Sequence, residues 1–187
     1  MRKLKALVLL FILVVLTFGC EMKTYTLQNG RTKVPVDSTV YKNKSKFDKN
    51  LLTIIDTGVV YEVYNVESKT PVRLDMDYTH RFYGVYKFYS NGCLNYFTLD
   101  RNEPIDTTTF NPNYDGKRGV YYKEGNQIRY DLYAESNQQG HIGLLTGTFV
   151  FSNDTLYKYT YSDYLKQPSI YIKRRLPTGY LDYSANW

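Results

Sequence analysis

The stretch that decides the fold is "RFYGVYKFYSNGCLNYFTL", residues 81–99. Two runs rich in aromatic and aliphatic residues flank Asn91-Gly92. Residues such as Tyr, Phe and Val favour strands, and Asn-Gly is the dipeptide most typical of a two-residue hairpin turn. The stretch therefore predicts two antiparallel strands joined by a tight turn.

A two-residue turn also fixes which residues lie opposite each other across the hairpin. It pairs Tyr86 with Phe97 and Phe88 with Asn95. Because side chains alternate along a strand, this register assigns a face to every residue. The face expected to form the core carries Phe82, Tyr86, Phe88, Phe97 and Leu99, and the face expected to meet water carries Arg81, Lys87 and Tyr96.

The same pattern of strand and turn continues through the rest of the chain. Turn residues near Gly125 and at Asn153-Asp154 mark two further hairpins, and Ile128, Tyr130 and Leu132 alternate with charged residues. The predicted strands cover residues 59–66, 81–90, 93–99, 119–123, 127–134, 144–152, 155–161 and 169–175.

Eight strands joined mostly by tight turns predict an all-β, antiparallel up-and-down meander. The 21 tyrosines fit this class, because Tyr suits a half-buried pleated surface. Eight strands also suffice to close a small barrel, which removes exposed sheet edges. A sandwich is the alternative that the sequence leaves open. The longest connection, residues 100–117, is expected to cross one end of the barrel.

The region before the strands is expected to contain a tether and a short helix. Residues 20–44 are polar without an apolar period, which is typical of a tether. Ser45 and Asp48 have the spacing of a capping box, and Phe47, Leu51 and Ile55 would share one helix face. The predicted organisation is a signal peptide at 1–19, a tether at 20–44 and a β-barrel domain at 45–187.

The N-terminus has the pattern of an export signal. Basic residues precede an apolar run of 13 residues, 6–18, which is shorter than the roughly 20 residues that span a membrane. Gly19-Cys20 then resembles a bacterial lipobox, which implies lipidation of Cys20 and anchoring to a membrane. The alternatives are ordinary secretion, because Thr17 and Gly19 fit a small-x-small cleavage site, and a retained membrane helix.

The charge and the cysteine content narrow the class of protein. Hydrophobic residues make up 43% and charged residues 22% of the chain, which is enough for a packed core. Without Arg2, Lys3 and Lys5 the net charge falls from +6 to +3, so nucleic acid is not an expected partner. If Cys20 carries lipid, Cys93 has no disulfide partner within the chain and is expected to be structural.

Several segments together resemble a known group of proteins. They are "IIDTGVVYEVY", "KFYSNGCLNYF", "FNPNYDGKRGVYYKEGNQIRYDLY", "NDTLYKY" and "YIKRRLP", and the resemblance runs from about residue 51 to residue 176. In order and spacing they are similar to small, uncharacterised, lipocalin-like lipoproteins of the Bacteroidetes. The resemblance implies a lipocalin-like barrel and a place in the cell envelope at the outer membrane, but no reaction.

Two short motifs suggest chemistry, and for both the structural interpretation is preferred. Asp56-Thr57-Gly58 matches the core of an aspartic peptidase motif, but that chemistry needs two carboxylates and the chain has a single copy. A second motif, formed by Asp75, Asp77 and His80, could hold a divalent metal, but it lacks an assured fourth ligand. We therefore predict no catalytic residue, no metal and no cofactor, and a protein that is not an enzyme.

The inward-facing aromatic residues are the remaining functional feature. Tyr offers a flat apolar face with a hydroxyl at its rim, which suits a small apolar or glycan ligand. The predicted ligand-binding residues are Phe82, Tyr86, Phe88, Phe97, Tyr121, Ile128 and Tyr130. The alternative is an envelope structural or protein-interaction module whose barrel is filled by these same side chains. A monomer is expected in either case.

Overall fold

A computed structural model describes residues 22–65, 81–135, 142–160 and 168–187. The strands in these ranges are β1 (Thr24–Thr26), β2 (Lys33–Pro35), β3 (Val60–Asn65), β4 (Phe82–Phe88), β5 (Cys93–Asp100), β6 (Lys117–Glu124), β7 (Gln127–Glu135), β8 (Ile142–Ser152), β9 (Thr155–Thr160) and β10 (Ser169–Arg174). Strands β3 to β10 form a closed barrel in sequence order, and β1 pairs with β2 in a separate small sheet.

The barrel confirms the predicted fold class. Each of the eight predicted strands corresponds to one strand of the barrel, and every neighbouring pair is antiparallel. The sheet closes where β10 pairs with β3, with Tyr171 opposite Val63. Closure excludes the sandwich alternative and leaves none of the eight strands as an edge.

The register of the hairpin between β4 and β5 differs from the predicted one by one residue. Tyr86 lies opposite Tyr96 and Phe88 opposite Leu94. The loop has three residues instead of two, because the Tyr89 N–H donates to the Cys93 carbonyl at 3.0 Å. Gly92 takes a φ of 84°, the left-handed conformation that closes a three-residue loop.

The shift exchanges the two faces of β5. Tyr96, expected at the water-facing side, lies against the barrel interior, whereas Phe97 packs outside the barrel with Val85 and Phe110. The inward position predicted for Phe97 is therefore wrong. On β4 the alternation holds, since Tyr86 and Phe88 are inside.

Aromatic rings fill the barrel interior. Phe88 packs at ring-centroid distances of 5.6 Å from Tyr61, 5.2 Å from Tyr121 and 5.4 Å from Phe149, so one ring contacts several strands. The rings that are less than 3% exposed and belong to this interior cluster are Tyr61, Tyr86, Phe88, Tyr121, Tyr130, Phe149 and Tyr171. About eight strands is the size at which side chains just fill a barrel, and here they do so.

One end of the barrel is closed by the segment that precedes β3. Leu51, Ile55 and Val59 are buried there and join the interior cluster. The predicted helix from Ser45 is replaced by 3-10 helices, because Phe47 and Asp48 have extended backbone conformations that interrupt any longer helix. The described chain before β3 has 3-10 helices at Ser38–Val40, Lys42–Lys46 and Lys49–Thr53, and the last two overlap the predicted helix.

Much of the segment predicted as a tether is ordered against the barrel. Its residues from Thr24 form β1, β2 and the first 3-10 helix, and Val34 and Tyr41 are buried. Polar composition favours a tether, but β1 and β2 pair around a turn, and this segment buries a few apolar side chains such as Val34 and Tyr41. Among the described residues, no helix combines the length and the apolar character needed to cross a membrane.

Candidate functional site

The predicted ligand-binding residues fall into three different environments. Tyr86, Phe88, Tyr121 and Tyr130 belong to the filled interior, and Ile128 packs against it. Phe82 is at the opposite end of the barrel from the closing segment and is 40% exposed. Phe97 lies outside the barrel, so the seven side chains do not line one common cavity.

A pocket of about 580 Å³ lies at the end where β4 begins and β5 ends, which we call the barrel mouth. Its walls come from that end of the barrel, from the connection after β5 and from the β1–β2 hairpin. The lining includes Arg81, Phe82, Tyr96, Asp100, Tyr114 and Lys117. The expected placement of the 100–117 connection across one end agrees with this lining.

Tyr96 separates the mouth from the interior. Its ring lies 4.8 Å from the ring of Tyr86, at the edge of the interior cluster, and it also lines the pocket. The ammonium of Lys117 is 5.9 Å from the same ring, within the range of a cation–π contact. Gly84 leaves the room that Tyr96 needs, because a Cβ there would lie 2.1 Å from the tyrosine oxygen.

The β1–β2 hairpin is held in the wall of the pocket by Asp115. The carboxylate of Asp115 accepts hydrogen bonds from Asn29 Nδ2 at 2.7 Å and from Thr32 Oγ1 at 2.5 Å. The Asn29 N–H also donates to the Tyr114 carbonyl at 3.0 Å. These contacts hold Tyr114, which is 46% exposed, at the rim of the mouth.

Carboxylates at the mouth are held in their ionised form. Asp100 accepts from the Asn102 N–H at 2.9 Å and from Arg81 Nε at 2.7 Å, and these bonds lower the pKa of its carboxyl. Hydrogen bonds from Thr108 and Thr109 lower the pKa of Asp106 in the same way. The exposed carboxylate of Asp106 can therefore accept hydrogen bonds from a ligand at neutral pH, whereas the buried carboxylate of Asp100 holds Arg81 in the wall of the mouth.

The peptidase-like motif has a structural environment. One oxygen of Asp56 accepts from the Gly58 N–H at 2.9 Å, and the other lies 3.4 Å from the ammonium of Lys173. The motif thus forms a turn at the closed end of the barrel. Asp75, Asp77, His80 and the lipidation residue Cys20 lie outside the described residues. Within the described ranges no three His, Cys, Asp or Glu side chains are grouped as metal ligands.

Cys93 is a free, fully buried thiol in the outer packing of β5. Its sulfur lies 3.8 Å from the Trp187 carbonyl oxygen. This surrounding fits the structural role expected from the sequence, because a reactive thiol needs exposure and a cationic neighbour.

Sequence reasoning missed the β1–β2 hairpin and with it part of the mouth. The signal was Asn29-Gly30, which sits between two short runs containing Tyr25 and Val34. Gly30 has a φ of 71°, as a turn glycine requires. The runs that flank Asn91-Gly92 are long and apolar, whereas those that flank Asn29-Gly30 are short and polar, so the same dipeptide gives a weaker hairpin signal at 29–30.

The chain matches no protein-family model, no curated protein and no solved structure.

Proposed function

We propose that this protein is a lipid-anchored cell-envelope lipoprotein of the outer membrane that binds a small glycan at the barrel mouth, without chemically converting it. The observation that carries the binding role is the mouth pocket, whose 580 Å³ lies within the usual range for ligand sites. The membrane attachment rests on the sequence pattern that ends at Cys20.

The lining of the mouth favours a glycan over an apolar ligand. Phe82 and Tyr114 offer exposed aromatic faces for a sugar ring, and the exposed Asp106 carboxylate offers an acceptor for hydroxyl groups. An apolar ligand would need an enclosed apolar cavity, and the aromatic side chains already occupy the interior.

The second candidate is an envelope structural or protein-interaction module. The observation in its favour is the filled interior, in which rings such as Phe88 and Phe149 are buried to 1% exposure or less. In this case the barrel is a rigid body and the mouth has no ligand of its own. The two candidates predict opposite results when the protein is mixed with oligosaccharides.

Replacing Tyr114 by alanine should weaken glycan binding. The wild-type chain in detergent is mixed with maltotriose, xylotriose and tri-N-acetylchitotriose, and bound sugar is measured by native mass spectrometry. Loss of one aromatic stacking face should lower the affinity about three- to tenfold. The matched control is Tyr159→Ala, because Tyr159 is similarly exposed at 38% and lies outside the mouth. If wild type retains none of these sugars, the second candidate is favoured.

Replacing Cys20 by serine should release the protein from the membrane. Without the thiol no acyl chain can be attached at position 20, and stable anchoring at a bilayer needs at least two such chains or an equivalent second signal. The measurement is the distribution of the protein between membrane and soluble fractions after cell lysis. The matched control is Cys93→Ser, which leaves Cys20 in place. A Cys20→Ser variant that still sediments with membranes contradicts the lipid anchor.

A further inference from the structure

A second cleft, of about 430 Å³, lies on the outer wall of the barrel. It is bounded by β4, by the connection after β5 and by the segment that follows β10. Tyr83, Arg101 and Arg174 line it together with the apolar side chains of Ile105, Leu176 and Pro177. Glu103 and Ile105 line both this outer cleft and the mouth, so one stretch of loop separates the two.

Two guanidinium groups that line the outer cleft meet at one carboxylate, that of Glu62. Arg174 Nη1 is 2.5 Å from Glu62 Oε2, and Arg101 Nη1 is 3.5 Å from Glu62 Oε1. The Arg101 guanidinium also lies 4.3 Å from the centre of the Tyr83 ring. These contacts fix both guanidinium groups, although Arg174 belongs to β10 and Arg101 to the connection after β5.

The exposure of these groups favours an anion as ligand. The side chains of Arg101 and Arg174 are 50% and 45% exposed, whereas Glu62 is 20% exposed. A guanidinium has five N–H donors in a planar fork, so one shared carboxylate leaves donors for a second oxyanion. Glu103 also lines the cleft, so the preference rests on the paired arginines and not on a uniformly positive surface.

The remaining walls favour a ligand with an apolar body. Ile105 and Leu176 pack partly against the outer cluster that contains Tyr83 and Val85. Pro177 and Tyr180 complete the opposite side. Such walls would contact a hydrocarbon or aromatic group while the arginines hold the charged end.

We propose that the outer cleft binds a small amphipathic oxyanion, a carboxylate or phosphate attached to an apolar or aromatic body. This site is separate from the proposed glycan site. Here paired arginines donate hydrogen bonds to an anionic group, whereas at the mouth a carboxylate accepts hydrogen bonds from hydroxyl groups.

The test uses three probes that share a phenyl ring. Phenylacetate carries a carboxylate, phenyl phosphate carries a phosphate, and 2-phenylethanol carries no charge. Each is titrated into the full ¹⁵N-labelled chain in detergent, and the arginine Nε–Hε and backbone amide resonances are followed. We expect one or both anions to shift the Arg101 and Arg174 resonances, and the stronger anion identifies the preferred oxyanion. Equal binding of 2-phenylethanol, or no binding of either anion, would overturn the proposal.

Arginine variants locate the binding and separate it from general charge. Arg101→Gln and Arg174→Gln should each lower the anion affinity at least about tenfold, the usual effect of losing a charge-assisted hydrogen bond. Arg175→Gln is the matched control, since Arg175 is exposed and outside the cleft. A spectrum with the chemical-shift dispersion of the wild type shows that a variant is folded. If Arg174→Gln does not fold, the test uses Arg101→Gln alone. A similar loss in Arg175→Gln would overturn the site, and Tyr114→Ala should leave anion binding unchanged.

Discussion

Raising the pH above about 10 should unfold this protein cooperatively, because many of its tyrosines are buried. Burial raises the pKa of Tyr86 and Tyr171 well above the ordinary value of 10.0. Burial also raises the pKa of Tyr122 to about 12. Further tyrosines whose pKa is raised mainly by burial are Tyr41, Tyr89 and Tyr121.

The sign of the effect follows from where each state loses its protons. Unfolded tyrosines lose their protons near pH 10, whereas the buried ones keep theirs, so the folded state binds more protons above pH 10. The stabilisation is complete below the unfolded pKa and is lost as the pH rises toward the folded pKa. Each such tyrosine lowers the free energy of unfolding by about 1.4 kcal/mol per pH unit in this window. For about five such tyrosines, the summed loss over about two pH units matches or exceeds the roughly 5–15 kcal/mol by which a domain is typically stable.

Lys87 acts in the opposite direction over a neighbouring window. Burial lowers the pKa of its ammonium from 10.5 to about 8, although Asp56 and Asp182 partly oppose the shift. Between these values the unfolded state binds more protons, so this one group makes the free energy of unfolding rise with pH. The combined profile should rise modestly from about pH 8 and then fall steeply above 10.

The measurement compares tyrosinate absorbance with far-ultraviolet circular dichroism during an alkaline titration. Exposed tyrosines should ionise first without a change in dichroism, and the remaining tyrosinate absorbance should then appear together with the loss of dichroism, because ionisation of the buried tyrosines requires unfolding. Tyr86→Phe should move the midpoint to higher pH, whereas Tyr64→Phe should not, since Tyr64 is 76% exposed. Gradual ionisation of all tyrosines with an unchanged dichroism spectrum would contradict the burial described here.

The strands were predictable because their signal is local. In β7 the inward set Ile128, Tyr130 and Leu132 alternates with Arg129 and Asp131, and the structure places that set against the interior. Alternation of this kind depends only on the pleat of the strand, so it can be predicted from the local sequence without information on the rest of the fold. The number of strands and the antiparallel order followed from it.

The register of β5 was not predictable, because contacts far along the chain accompany the turn. Asn91 Nδ2 donates to the Ala185 carbonyl at 2.6 Å, and Tyr89 and Cys93 both pack in a second cluster outside the barrel, together with Trp187. These contacts hold the residues on both sides of the turn to the outer wall. A two-residue turn would move Cys93 and Phe97 to the other face. The local sequence does not show whether such contacts stabilise the two-residue or the three-residue turn.

The mouth depends on long-range contacts to a similar degree. Asp115 joins the hairpin through Asn29 and Thr32, which are more than 80 residues away in sequence. The expectation of a loop over one end was obtainable from Pro and Gly alone. The pocket itself arises only when that loop, the hairpin and the end of β5 are placed together.

Replacing Phe88 by alanine should give the largest loss of stability among single truncations of β4. Phe88 is fully buried and its ring packs between Tyr61, Tyr121 and Phe149 from three other strands. Truncation of a buried Phe costs about 3–5 kcal/mol, because apolar contacts are lost and a cavity remains. The measurement is the free energy of unfolding from urea titration of the full chain.

Phe82→Ala is the matched control for this experiment, because Phe82 lies on the same strand and the same side but is 40% exposed. Its loss should be no more than about 1 kcal/mol, the usual range for a residue near the surface. A dry cavity lined by aromatic rings also binds benzene, so benzene should restore part of the stability of Phe88→Ala while leaving wild type unchanged. Equal losses in the two variants, or stabilisation of wild type by benzene, would show that the interior is hollow. In that case an apolar ligand inside the barrel would replace the glycan at its mouth as the better proposal.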